Sequence, residues 1–278
     1  MTWWCAALDE PWSWTWRAYP GIWLFVLLLG GAYVRAQRRR PMRFAEDDEP
    51  TTGKHWALFT LGLLALWAGA DWPLGTIAAG YLLSGRTLQY ILFVLVAPPL
   101  ILLGIPRWML RRMLRGWFAF RAARFLTRPL VPLLVYNVVM VVAHLPLIID
   151  GPARTAWGAF ALDMLMIGSG FVFWWPALGR LPELRPMTYP GRIGYLLLSV
   201  FLPTVPASFF TFSRFPIYGL YELAPRVHEI DAITDQRVAG LLMKIGGGSI
   251  LFGVMSVMFF RWHAREEGRA PSTHEIGA

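Results

Sequence analysis

The segment at residues 84–106, SGRTLQYILFVLVAPPLILLGIP, limits this chain to one class of fold. A helix needs about 20 mostly apolar residues to cross the hydrocarbon core of a bilayer. Lipid supplies no hydrogen bonds, so the backbone polar groups of such a segment must be satisfied within the protein. Apolar stretches of this kind recur along the chain, and spans are expected at 20–35, 55–71, 84–104, 130–149, 156–177, 191–211 and 237–260. With 278 residues, 56% of them hydrophobic, little chain is left for anything else. The expected fold is all-α: a polytopic transmembrane bundle of about seven helices forming a single integral-membrane domain over residues 1–278. No internal repeat is visible, which argues against an inverted-repeat transporter.

The net charge of +9 would suit a nucleic-acid partner, but its distribution points to membrane topology instead. With the N-terminus outside, most of the 26 Lys and Arg residues fall on the cytoplasmic side, as the excess of cations in cytoplasmic loops requires. This places the C-terminus, with a tail over 262–278, in the cytoplasm. No nucleic-acid partner is expected. Residues 1–19 have no basic stretch before the first apolar run and do not read as a cleavable signal. Their tryptophans, Trp3, Trp4, Trp12, Trp14 and Trp16, suggest a periplasmic segment lying at the membrane interface. The loop at 105–129 carries Arg107, Arg111, Arg112, Arg115, Arg121, Arg124 and Arg128 with no acid. Interleaved with aromatic residues, it reads as a basic amphipathic helix on an anionic inner leaflet. The same charges would also suit a partner's acidic loop.

Ionisable side chains at membrane depth are costly and face the bundle interior, a cavity or a partner. Arg86, Asp163 and Lys244 meet that description, with Gln89 and Tyr90 one turn from Arg86. Asp163 is expected to pair with Lys244 or Arg86, since a lone charge in lipid is strongly disfavoured. Toward the outer face, His144 ends the fourth span. His228, Glu229, Asp231 and Asp235 crowd the last outer loop, followed by Gln236. Imidazole and carboxylates together could hold a divalent ion, but the helical spacing of a zinc pair is missing. Asp235 is expected to cap the N-terminus of the last span.

No catalytic machinery is legible. The chain lacks GxSxG, HExxH, a P-loop and a Gly-rich dinucleotide turn. Cys5 is the one cysteine, which excludes CxxC sites and an intramolecular disulfide. The expectation is a non-enzyme. If a water-filled outward cavity reached Asp163, the alternative would be a metal or small-solute transporter.

Five stretches taken in order carry a resemblance: PWSWTWRAYPGIW, LQYILFVLVAPPLILLGIP, AHLPLIIDGPART, GSGFVFWWPALG and DQRVAGLLMKIGG. Together they resemble the polytopic, CtaG-like cytochrome c oxidase assembly proteins. The resemblance implies a multi-pass protein of the bacterial plasma membrane that helps a haem-copper oxidase mature. Its implied partners are oxidase subunits or other assembly factors, and copper delivery is the implied chemistry. Relatives commonly begin the third span with an HMxQH-like sequence where this chain reads RTLQY, so Arg86 and Tyr90 take the two histidine positions. Asp163 stands where a fifth-span histidine is expected, and Lys244 where tryptophan is common. His144, Asp235 and Gln236 match the family pattern. Loss of the imidazoles removes nitrogen ligands and introduces cations. The expectation is that a metal site has become an ion-pair and hydrogen-bond network, and the chain's cofactor is left open.

Overall fold

The computed structural model describes residues 2–8, 10–39, 50–201, 203–227 and 229–267. Among the described residues there is no strand. The helices in chain order are α1 (Pro20–Arg38), α2 (Gly53–Ala70), α3 (Leu74–Gly80), α4 (Leu83–Tyr90), α5 (Ala97–Gly104), α6 (Arg107–Met113), α7 (Trp117–Leu126), α8 (Leu130–Ala143), α9 (Pro146–Ile149), α10 (Ala156–Leu178), α11 (Tyr189–Phe201), α12 (Thr204–Phe212), α13 (Gly219–Glu222), α14 (Ala232–Leu241) and α15 (Gly247–Glu267). π-helical turns at Ile91–Val96 and Leu242–Gly246 join α4 to α5 and α14 to α15.

Leu83–Gly104, Ala156–Leu178, Tyr189–Phe212 and Ala232–Glu267 are long and apolar enough to cross a membrane. Counting the bent pairs α2–α3 and α7–α8 as one span each raises the number from four to six. The chain is therefore a helical membrane protein. α1 lies at the position expected for the first span but is not among these segments.

Several boundaries differ from the sequence expectation. The stretch after α2, expected as a loop, folds into α3, bent 44° from α2. The span expected at 130–149 stops at Ala143. Leu145 precedes a proline and is held extended, as pre-proline residues are. The basic loop forms two helices, α6 and α7, instead of one, with Gly116 in extended conformation between them. The last helical segment begins at Ala232 and runs 36 residues. At 1.5 Å per residue it measures roughly 54 Å, longer than a hydrocarbon core of about 30 Å.

The segment Leu83–Gly104 is the centre of the bundle, 67% buried against 29% for Tyr189–Phe212. Proline at position 98 has no N–H for the Val94 carbonyl four residues back. Two features absorb this defect. The helix widens into its π turn, with Ala97 N–H reaching Leu92 O five residues back. Trp174 of α10 then donates its indole N–H to Val94 O at 2.9 Å. Gly170 makes the approach possible, because a Cβ there would lie 2.9 Å from Val94 Cα and 3.0 Å from Phe93 O. On the other side, a Cβ on Gly104 would sit 2.4 Å from Phe59 N, so α5 packs backbone-close on α2. Small residues at helix contacts serve this purpose in membranes, where association depends on packing.

The proline repair is testable. Trp174→Phe keeps a buried ring but strands the Val94 carbonyl, at an expected cost of about 1–3 kcal/mol. Thermal unfolding in mild detergent should show the drop, and adding Pro98→Ala should recover part of it by returning an N–H to that carbonyl.

Candidate functional site

The buried polar groups gather where α4 begins. Arg86, on the first turn of α4, is 8% exposed, and Asp163, two turns into α10, is 2% exposed. Arg86 Nη1 lies 2.9 Å from Asp163 Oδ1. The same Nη1 donates to Gln89 Oε1. Gln89 Nε2 in turn donates to the Gly69 carbonyl of α2 at 2.9 Å. The second carboxylate oxygen, Oδ2, accepts from the Trp4 indole N–H at 2.9 Å. Both oxygens of the buried carboxylate are thus occupied, as a buried ion pair requires if it is not to be a net penalty. The N-terminal segment, α2, α4 and α10 all meet at this one cluster.

The cluster is closed. Arg86 Nη2 has no hydrogen-bond partner within the protein and borders a cavity of about 10 Å³, room for about one water. Cys5 borders the same cavity. Its thiol donates to the Ala70 carbonyl at 3.2 Å, and burial pushes its pKa up, so the sulfur is held as a thiol. The N-terminal segment is therefore divided. Trp4 and Cys5 are buried in the bundle, while Trp14 and Trp16 are exposed. An indole N–H that is buried needs an acceptor, and Asp163 provides it.

The other expected site residues lie elsewhere. Tyr90 turns from this cluster toward α8, its hydroxyl 2.5 Å from that of Tyr136. Lys244 is exposed and borders a separate pocket of about 170 Å³ with Tyr90, Tyr136 and Met243. The ion pair to Asp163 comes from Arg86, not Lys244. His144 is the C-cap of α8. Its Nδ1 lies 2.7 Å from the Met140 carbonyl, which assigns the proton to Nδ1. The ring stands edge-on to Tyr90 at 5.7 Å between centroids.

Asp235 does not cap its own helix. Asp231 takes that role, its Oδ1 accepting from Ile233 N and Thr234 N at 3.0 Å each. Asp235 sits one turn further on, beyond the unsatisfied N–H groups of α14, and its carboxylate reaches the start of α4. There it accepts from Leu83 N at 2.6 Å and from the Ser84 hydroxyl. A carboxylate at a helix N-terminus also suits the helix dipole. Gln236 Oε1 accepts from Ile217 N at 2.8 Å, which fastens the last connecting loop. His228 lies outside the described residues.

Sequence reasoning missed Trp4, Tyr136 and the Gly69 carbonyl. Trp4 is 159 positions from the carboxylate it binds, and no local spacing announces such a contact. Tyr136 carried a usable signal: a phenol in the middle of an apolar span needs a partner.

These residues do not fit a copper ion. A guanidinium occupies the middle of the cluster, where it would repel a cation, and the thiol that borders the cavity is protonated and hydrogen-bonded. Among the described residues no three His, Cys, Asp or Glu side chains group closely enough to hold a metal. What the arrangement can do is join four segments through one desolvated ion pair.

Comparison with known proteins identifies a family. The model described as cytochrome c oxidase caa3 assembly factor (Caa3_CtaG) matches residues 31–265. No curated protein and no solved structure matches the chain.

If Trp4 holds the N-terminal segment on the cluster, Trp4→Phe retains the packing but removes one hydrogen bond to a charged acceptor, at about 1.5–3 kcal/mol. Hydrogen exchange should then rise at residues 2–8 well before it rises in α10. Unchanged protection there would show that packing alone holds the segment.

Proposed function

The chain belongs to the cytochrome c oxidase caa3 assembly factor family, and from that premise we propose that it is a non-enzymatic factor helping to assemble a haem-copper oxidase from within the membrane. The closed Arg86–Asp163 cluster is the observation that carries the reading from family to mechanism. It supports a rigid, internally paired bundle that acts through its surfaces on an oxidase subunit or another assembly factor. A cavity sized for one water beside Asp163 gives no support to a solute path through this site.

The topology we propose has seven spans, with α1 as the first, the N-terminus outside and the C-terminus in the cytoplasm of a bacterium. It is supported by the charge distribution. Arg35 and Arg38 lie in the last turn of α1 and Arg39 just after it, and the arginines of α6 and α7 follow the third span, all on the side that the positive-inside bias assigns to the cytoplasm. Copper, in this reading, is not carried at Arg86, Tyr90 and Asp163. That region is a metal site converted into a structural one, and any part the protein plays in copper insertion is indirect.

Deleting the gene and measuring assembled oxidase, with and without added copper, tests the proposal. Low oxidase content that copper does not restore is the expected result. Normal content overturns the assembly role, and rescue by copper returns metal delivery to this chain. Purified protein should hold well under one copper per chain, whereas a full equivalent lost on Asp163→Ala would overturn the converted-site reading.

A further inference from the structure

A groove of about 940 Å³ runs between α1 and α10, floored by α2 and α5 and bordered at one end by α6. Phe25, Leu29, Ala32 and Ala36 line it from α1. Their spacing puts them on one helix face, and at 1.5 Å per residue they extend for about 17 Å. Met164, Gly168, Phe171 and Trp175 line it from α10 with the same periodicity. At the far end Trp4 fills the space between the two helices, edge-on to Phe25 at 6.2 Å and to Phe160 at 5.0 Å. The walls are almost entirely apolar, but the other end is not.

Arg35, Arg39 and Arg112 stand there, all exposed. Arg112 Nη1 donates to the Arg39 carbonyl at 2.8 Å, which draws α6 against the end of α1 and brings like charges together. Among the described residues no carboxylate is ion-paired with any of the three. Arg111, the immediate neighbour of Arg112, is paired with Glu183 at 2.6 Å. A cluster of cations at the mouth of an apolar groove suits an anionic head on hydrocarbon chains.

We propose that this groove binds an anionic phospholipid, with its acyl chains between α1 and α10 and its phosphate at Arg35, Arg39 and Arg112. The volume lies within the range of about 300–1,000 Å³ typical of small-molecule sites. An apolar partner helix would leave the three cations at the mouth without an anionic group to meet them. Guanidinium forks recognise phosphate oxygens in pairs, and basic residues close to a membrane each favour an anionic headgroup.

The test is native mass spectrometry on the full chain in mild detergent, titrated with phosphatidylglycerol or with phosphatidylcholine of matched chains. Phosphatidylglycerol should bind at least about tenfold more tightly. Replacing the three cations together (Arg35→Gln, Arg39→Gln, Arg112→Gln) should abolish that preference. The same charge removed from α7 and the turn after it (Arg121→Gln, Arg124→Gln, Arg128→Gln) should leave it intact. Gly168→Phe blocks the groove itself: a Cβ at Gly168 has no atom within 4 Å, so the ring enters open space, and occupancy by either lipid should fall. The two sets of changes lie on different helices, so failure of one variant to fold leaves the other as a test. Equal binding of the two lipids, equal loss from the α7 control, or unchanged occupancy in Gly168→Phe would each overturn the proposal. So would a photoreactive group on Gly168→Cys that crosslinks in cells to a protein helix instead of to lipid.

Discussion

A carboxylate and a guanidinium withdrawn from water in the interior of a lipid-embedded bundle dominate this structure. Each ion loses several kcal/mol of hydration, and lipid returns none of it. The cost falls only if the two charges meet and every remaining lone pair finds a donor. Asp163 satisfies this with Arg86 on one oxygen and Trp4 on the other. Gln89 links the guanidinium to the backbone of α2. Removing either charge would leave the other buried alone, so the positions of the N-terminal segment, α2, α4 and α10 are tied to one interaction.

The rest of the fold brings those charges to the same depth. Asp235 fixes the start of α4 from α14, and Trp174 fixes its π-helical continuation from α10. Glycines at 104 and 170 permit backbone-close packing on both sides. Tyr90 and Tyr136 form a second, separate polar contact. Two π turns, one in the central span and one at Lys244, fall beside that tyrosine pair. Such turns often occur at functional sites, and here the first also relieves the proline defect.

Much of the fold was legible in the sequence because apolar length is a strong signal. The helical class, the membrane setting and the burial of Arg86 with Asp163 follow from residues that lipid does not tolerate exposed. Family membership was legible as well, since its motifs lie in order along most of the chain. The failures share a cause: they involve contacts between segments far apart. Trp4 looked like a surface tryptophan because composition does not reveal which indole finds a carboxylate. Asp235 looked like a local cap, but the N–H groups it serves belong to another helix. The expected loop after α2 was helical, and the single basic helix was two, because turn residues such as Pro73 and Gly116 redirect a chain without making it irregular. Lys244 resembled a candidate partner for Asp163 by depth alone, and depth says nothing about which face of a helix a side chain takes.

The central claim is that Arg86 and Asp163 act as one unit holding the bundle closed. A double-mutant cycle with Arg86→Met and Asp163→Leu, measured by reversible denaturation in mixed micelles, tests it most directly. Each single change should cost about 3–5 kcal/mol by leaving an unpaired buried charge, and the double change should cost much less than their sum. Additive losses would show that the two charges do not depend on one another, contradicting the account.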